Sequence, residues 1–133
     1  MSYSNNPTSI LAGSGITIAP TTGTGVNTIT ISTTGPEFLT VRNAVATPIA
    51  VVAATDEVIS VQVPGPVAVA VTLPAGVLGQ VFYIKDGLGL ASVATPITIT
   101  PAAGNIDGAA TATINAPYGA LTIVYNGTQW LIL

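Results

Sequence analysis

Histidine and cysteine are both missing from this chain, and only seven of its 133 residues are charged. Each absence removes a class of chemistry. Without histidine a serine triad has no base, and without cysteine there is no thiol nucleophile and no disulfide. The commonest ligands of zinc and other transition metals go with them. The seven charges are Glu37, Arg42, Asp56, Glu57, Lys85, Asp86 and Asp107, 5% of the chain where an ordinary domain carries about 25%. Two basic side chains and a net charge of −3 leave no footprint for nucleic acid and no polybasic patch for anionic lipid.

Long hydrophobic runs are absent too. Mean hydropathy is +0.70, yet Pro and Gly interrupt every stretch before it reaches the roughly 18 apolar residues of a spanning helix. The segment from Met1 to Pro7 has neither the basic start nor the apolar centre of a secretory signal. One Trp, four Tyr and two Phe are too few for the aromatic girdles of an outer-membrane barrel. The expected partners therefore include no membrane, no nucleic acid and no small-molecule substrate.

The five acids do not make a site. Glycoside hydrolysis needs two carboxyls flanking one bond, whereas four of these acids sit at expected turns, and Asp56-Glu57 reads as a loop tip. Gly13-Ser14-Gly15 lacks the lysine and the strand–helix setting of a phosphate loop. Asn105 and Asp107 offer oxygen ligands for calcium, but a single acid makes a weak site and a plain turn explains both. No catalytic, metal or cofactor-binding residue is nominated: the chain reads as non-enzymatic, with no cofactor.

What is present is strand. At 133 residues the chain is about one domain long. Short segments of alternating apolar and small polar residues recur, bounded by Gly, Pro, Asn and Asp. The pattern predicts strands at 38–42, 58–63, 67–73, 81–85, 97–100, 111–115, 120–125 and 128–133, with an Ala/Val run at 44–54. Asn126-Gly127 predicts a two-residue type I′ hairpin, and Asp107-Gly108 a turn needing positive φ. No stretch has the period of an amphipathic helix. The fold class is all-β, a β-sandwich or jelly-roll-like body. Ile16-Thr17-Ile18-Ala19-Pro20 and Ile97-Thr98-Ile99-Thr100-Pro101 look alike, but no fixed period runs through the chain as a solenoid requires.

Two regions follow. Residues 1–35 are rich in Ser, Asn, Thr and Gly, with apolar residues in small groups at Ile10, Leu11, Ile16, Ile18, Ile29 and Ile31. These have too little apolar mass to fold alone, so 1–35 reads as an extended N-terminal arm that docks on another surface, the alternative being an N-terminal strand pair of the same sandwich. Gly35-Pro36 marks the boundary, and 36–133 forms the β-sandwich body. A chain so short of charge must face water with Thr, Ser, Asn and backbone, or cover its surface with partners. In 67–73 the large residues share one face, leaving Ala68 and Ala70 on the other as a candidate subunit-packing face. Trp130, Tyr118 and Tyr125 are a candidate glycan-stacking set, although Trp130 also suits a core position. The pairs Thr28/Thr30, Thr98/Thr100 and Thr111/Thr113 have the spacing of ice-binding threonine arrays, but the regular register of such arrays is missing from the sequence.

From about residue 50 onward the order of turns resembles a β-rich module of tailed-bacteriophage structural proteins. The resemblance rests on Thr55-Asp56 with Val58-Ile59, Leu73-Pro74-Ala75, Gly79-Gln80, Phe82-Tyr83-Ile84-Lys85-Asp86, Gly89 with Ala91, Ile97-Thr98-Ile99, Ile106-Asp107-Gly108, Tyr118-Gly119, and Asn126-Gly127 with Trp130. Such modules occur in capsid decoration or cement proteins, head fibres and tail fibres, are usually trimeric and are not catalytic. The resemblance implies a virion part without saying which one; the expectation for this chain is a cement or decoration protein on the capsid surface, with the major capsid protein and further copies of itself, a homotrimer, as partners. A receptor- or glycan-binding fibre domain is the alternative.

Overall fold

The computed structural model describes residues 38–133, so the N-terminal arm and its apolar positions lie outside the described residues. The alternation seen in sequence becomes nine strands: β1 Val41–Ala44, β2 Ile49–Ala50, β3 Val58–Val61, β4 Val69–Leu73, β5 Val81–Asp86, β6 Ile97–Pro101, β7 Ala112–Ile114, β8 Ala120–Tyr125 and β9 Trp130–Ile132. No helix occurs among the described residues. Sheet A has the order β1-β3-β5-β8-β9 and sheet B the order β2-β4-β6-β7. Leu39–Leu133 forms a unit of its own.

Burial alternates along β3 to β7, and the buried sets of both sheets merge into one core. Sheet A contributes Ile59, Val61, Phe82, Ile84, Ile123 and Trp130; sheet B contributes Val69, Val71, Leu73, Ile97, Ile99 and Ile114. β4 shows the rule most clearly, with Val69, Val71 and Leu73 inside and Ala70 and Thr72 outside. Phe82 and Tyr125 lie against Trp130, with ring centroids 5.6 and 5.2 Å away. The body is a two-layer sandwich, as the strand pattern predicts.

The path between the layers was not visible in the sequence. The chain passes from sheet A to sheet B and back through β1 to β6, and each strand lies parallel to the one laid down a turn earlier. Successive partners are Val41, Val58 and Tyr83 in sheet A, but the intervening loops differ in length, so the coil leaves no repeat. Antiparallel pairing, the only kind a jelly roll needs, appears where β7, β8 and β9 close the two sheets.

One expected turn forms as read from the sequence, and one differs. The reciprocal backbone bonds of a two-residue hairpin join Ile106 and Ala109 at 2.8 Å each way, with Asp107 at φ 47° and Gly108 at φ 79°. This is the type I′ arrangement. The Asn126-Gly127 turn is instead a four-residue loop, because β8 and β9 pair at Tyr125 and Trp130. Asn126 Oδ1 accepts the N–H groups of Thr128 and Gln129, both at 2.9 Å. The side chain thus takes the bonds that a tighter turn would have given to backbone.

Candidate functional site

Asp86, at the end of β5, is 2% exposed. Its carboxylate accepts four backbone N–H groups: Leu88 and Gly89 at 3.3 and 3.0 Å on Oδ1, Ala91 and Tyr118 at 2.9 and 3.1 Å on Oδ2. The Asp86 N–H itself bonds the Gly119 carbonyl at 2.9 Å. Burial works to raise this carboxyl, but the N–H groups of Ala91, Tyr118 and the 88–90 turn outweigh it and hold it below its ordinary value of 3.8. One side chain therefore ties the loop after β5 to the loop before β8.

Tyr118 is the exposed part of this corner. It has a left-handed backbone, φ 57°, which a bulky residue adopts only when its surroundings impose it. Its N–H is fixed by Asp86 and its carbonyl by Lys85 Nζ. The ring lies on Gly89, where an added Cβ would come within 2.5 Å of a ring carbon. Only glycine fits there, and its φ of 72° demands glycine as well.

The other charged side chains among the described residues are engaged in the same way. Arg42 grips Asp56 through two bonds, Nε to Oδ1 at 2.9 Å and a second nitrogen to Oδ2 at 2.7 Å, and also donates to the Ala50 carbonyl at 2.9 Å. Asp56 accepts the Val52 N–H at 2.8 Å. Glu57 accepts the Thr40 N–H, and Asp107 accepts the Ile132 N–H at 3.3 Å. Among the described residues no three His, Cys, Asp or Glu side chains come together to hold a metal. The cavity between the sheets under Leu90, lined also by Val61, Val67 and Ile97, has about 10 Å³ of room, enough for about one water.

With the charges committed, the outer faces of the sheets remain. On sheet A, the register aligns Val41, Val58, Tyr83 and Thr122 in one row, which Leu133 extends by bonding the Thr122 carbonyl. Val81, Val124 and Leu131 form a second row, and Asn43, Ser60, Lys85 and Ala120 a third. All are partly or fully exposed, and the one ammonium turns off the face to the Tyr118 carbonyl. Sheet B aligns Ala50, Thr72 and Thr100 in one row and Ala70, Thr98 and Thr113 in another. The cross-strand register of threonines is therefore present, although the sequence showed none. It joins residues from different strands and is invisible along any one of them.

The aromatic set separates. Trp130 is 0% exposed, enclosed by Phe82 and Tyr125, and its Nε1 has no hydrogen-bond acceptor. It is a core residue and offers no stacking face, which corrects its candidacy as a glycan contact. Tyr125 is partly buried against it. Tyr118 is 63% exposed but lies beyond the opposite end of β8, a strand whose six residues span roughly 17 Å. No joint platform forms. Ala70 sits on the outer face of sheet B and Ala68 just before β4, both exposed, with no other described element packed over them.

No protein-family model matches the sequence, and no curated protein matches it. Lys85, Asp86, Gly89, Ala91, Tyr118 and Gly119 converge at the corner just described. Their shared physical role is to hold two loops together, a role that sequence reading missed. The acid followed by a Gly-rich turn, Asp86-Gly87-Leu88-Gly89, was the one local signal.

Proposed function

We propose that this chain is a non-enzymatic structural protein of a bacteriophage virion, a capsid cement or decoration protein that acts as a homo-oligomer on the assembled shell. The observation that supports this reading is the employment of charge. Each charged side chain among the described residues holds a local turn or strand end, so recognition falls to uncharged faces. Burying such faces between neighbours avoids the cost of desolvating unpaired ions. The major capsid protein is the proposed partner, with the 1–35 arm adding backbone bonds at an exposed strand edge.

Co-sedimentation of the purified chain with capsids that lack it tests the reading. Saturable binding at hundreds of copies per particle supports a shell protein. Saturation at tens of copies or fewer indicates a fibre position, and no binding removes the capsid reading. The fibre alternative, with a glycan or receptor ligand, is favoured by one feature, the held and exposed ring of Tyr118. A glycan array that detects no ligand, or one whose signal survives Tyr118→Ala, counts against it.

A further inference from the structure

We infer that copies of this chain meet through the outer face of sheet A, centred on the row Val41, Val58, Tyr83 and Thr122. The inference rests on the homo-oligomer reading and gives it a surface.

Three observations lead to a second copy as the occupant. First, the face carries a single charge, Lys85, which lies in the outermost of its three rows with its ammonium bonded to the Tyr118 carbonyl. One ammonium makes no charge pattern for a charged partner, and a two-fold contact that runs the strands of the two copies in opposite directions keeps the two Lys85 rows at opposite ends. Second, its ridges are β-branched side chains on a five-stranded sheet, the surface that packs sheet on sheet inside ordinary sandwiches. Third, its area sets the strength. Five strands and three rows cover roughly 400 Å² at ordinary strand spacing. That is within the range of patches that mark interaction sites, but a pair would bury only about 800 Å², below the roughly 1,200 Å² of stable specific interfaces. The contact is therefore weak in free solution and forms where copies are concentrated, as on a surface that arrays them. Sheet B is the internal control. Its outer residues are Ala and Thr, and its hydroxyls keep their water.

Sedimentation velocity over a concentration series, micromolar to millimolar, tests this on the full chain. The variants are Val41→Lys and Tyr83→Lys on sheet A, with Thr72→Lys on sheet B, and circular dichroism verifies that each is folded. The expected result is reversible self-association of the parent chain, weakened at least tenfold by either sheet A lysine and unchanged by the sheet B lysine. If the chain associates and both sheet A variants associate equally well, the inference fails while the homo-oligomer reading stands. If the parent stays monomeric to millimolar concentration, both fail. If the sheet A lysines lower the melting temperature and leave the mass unchanged, another part of the same chain covers the face, and the inference is again overturned.

Discussion

The two outer faces of the sandwich are built on the same backbone rule and end in different chemistry. Sheet A turns Val41, Val58, Val81, Tyr83, Val124 and Leu131 outward, while sheet B turns Ala50, Ala70, Thr72, Thr98, Thr100 and Thr113 outward. Val and Thr are close in shape and both favour strands, but one carries a methyl where the other carries a hydroxyl. Folding is served equally well by either. Solvation is not: a threonine face hydrogen-bonds water, whereas a valine face gains by leaving it. The inner faces show no such contrast, since both supply Ile, Val, Leu or Phe to one core. The difference between the outer faces therefore answers to something other than the fold, and in a chain this poor in charge it is the main place where recognition can be written.

The largest effect comes from breaking both faces together. Phe82 is fully buried, against Trp130, so Phe82→Ala should cost about 3–5 kcal/mol through lost burial and an unfilled cavity. Urea denaturation should show the loss, with sheets A and B unfolding in one transition because they share that core.

Asp86→Ala should separate the faces. It strips four backbone N–H groups of their acceptor and should cost about 3 kcal/mol. The corner belongs to β5 and β8, so hydrogen exchange should accelerate at residues 87–91 and 118–120 more than in β4 and β6. The same carboxylate sets the acid limit. Its pKa is lowered in the folded state, so its stabilising contribution is complete above the unfolded value near 3.8 and is lost as pH falls through the lower folded value. Melting temperature should fall on acidification below about pH 4, and Asp86→Asn should flatten that fall.

Thr98→Val should do least. Its side chain is on the sheet B face between Ala70 and Thr113, and the folded state should change by about 0.5 kcal/mol or less in chemical denaturation. A larger loss would mean that the threonine rows are structural.

The sequence made the strands legible because period-2 alternation is local: β4 can be read from Val69, Val71 and Leu73 alone. It also made the Asp107-Gly108 turn legible, since both residues tolerate positive φ. It hid whatever depends on pairing at a distance. Nothing beside Val58 announces that its neighbours are Val41 and Tyr83, so neither the parallel coil nor the valine and threonine rows were readable. Asp86 was hidden for the same reason, because Tyr118 is 32 residues away along the chain. Beside Asn126-Gly127, the competing acceptor was the asparagine side chain itself.

The most direct measurement exchanges the faces. One variant carries Val41→Thr, Val58→Thr and Val124→Thr on sheet A, a second carries Thr72→Val, Thr98→Val and Thr100→Val on sheet B, and a third carries all six. Sedimentation equilibrium of these with the parent chain reads where association resides. Association should be lost in the first variant, and in the third it should return through sheet B, so that a Thr72→Lys change abolishes it there. Unaltered association in the first variant would contradict the assignment of recognition to the valine-rich rows of sheet A.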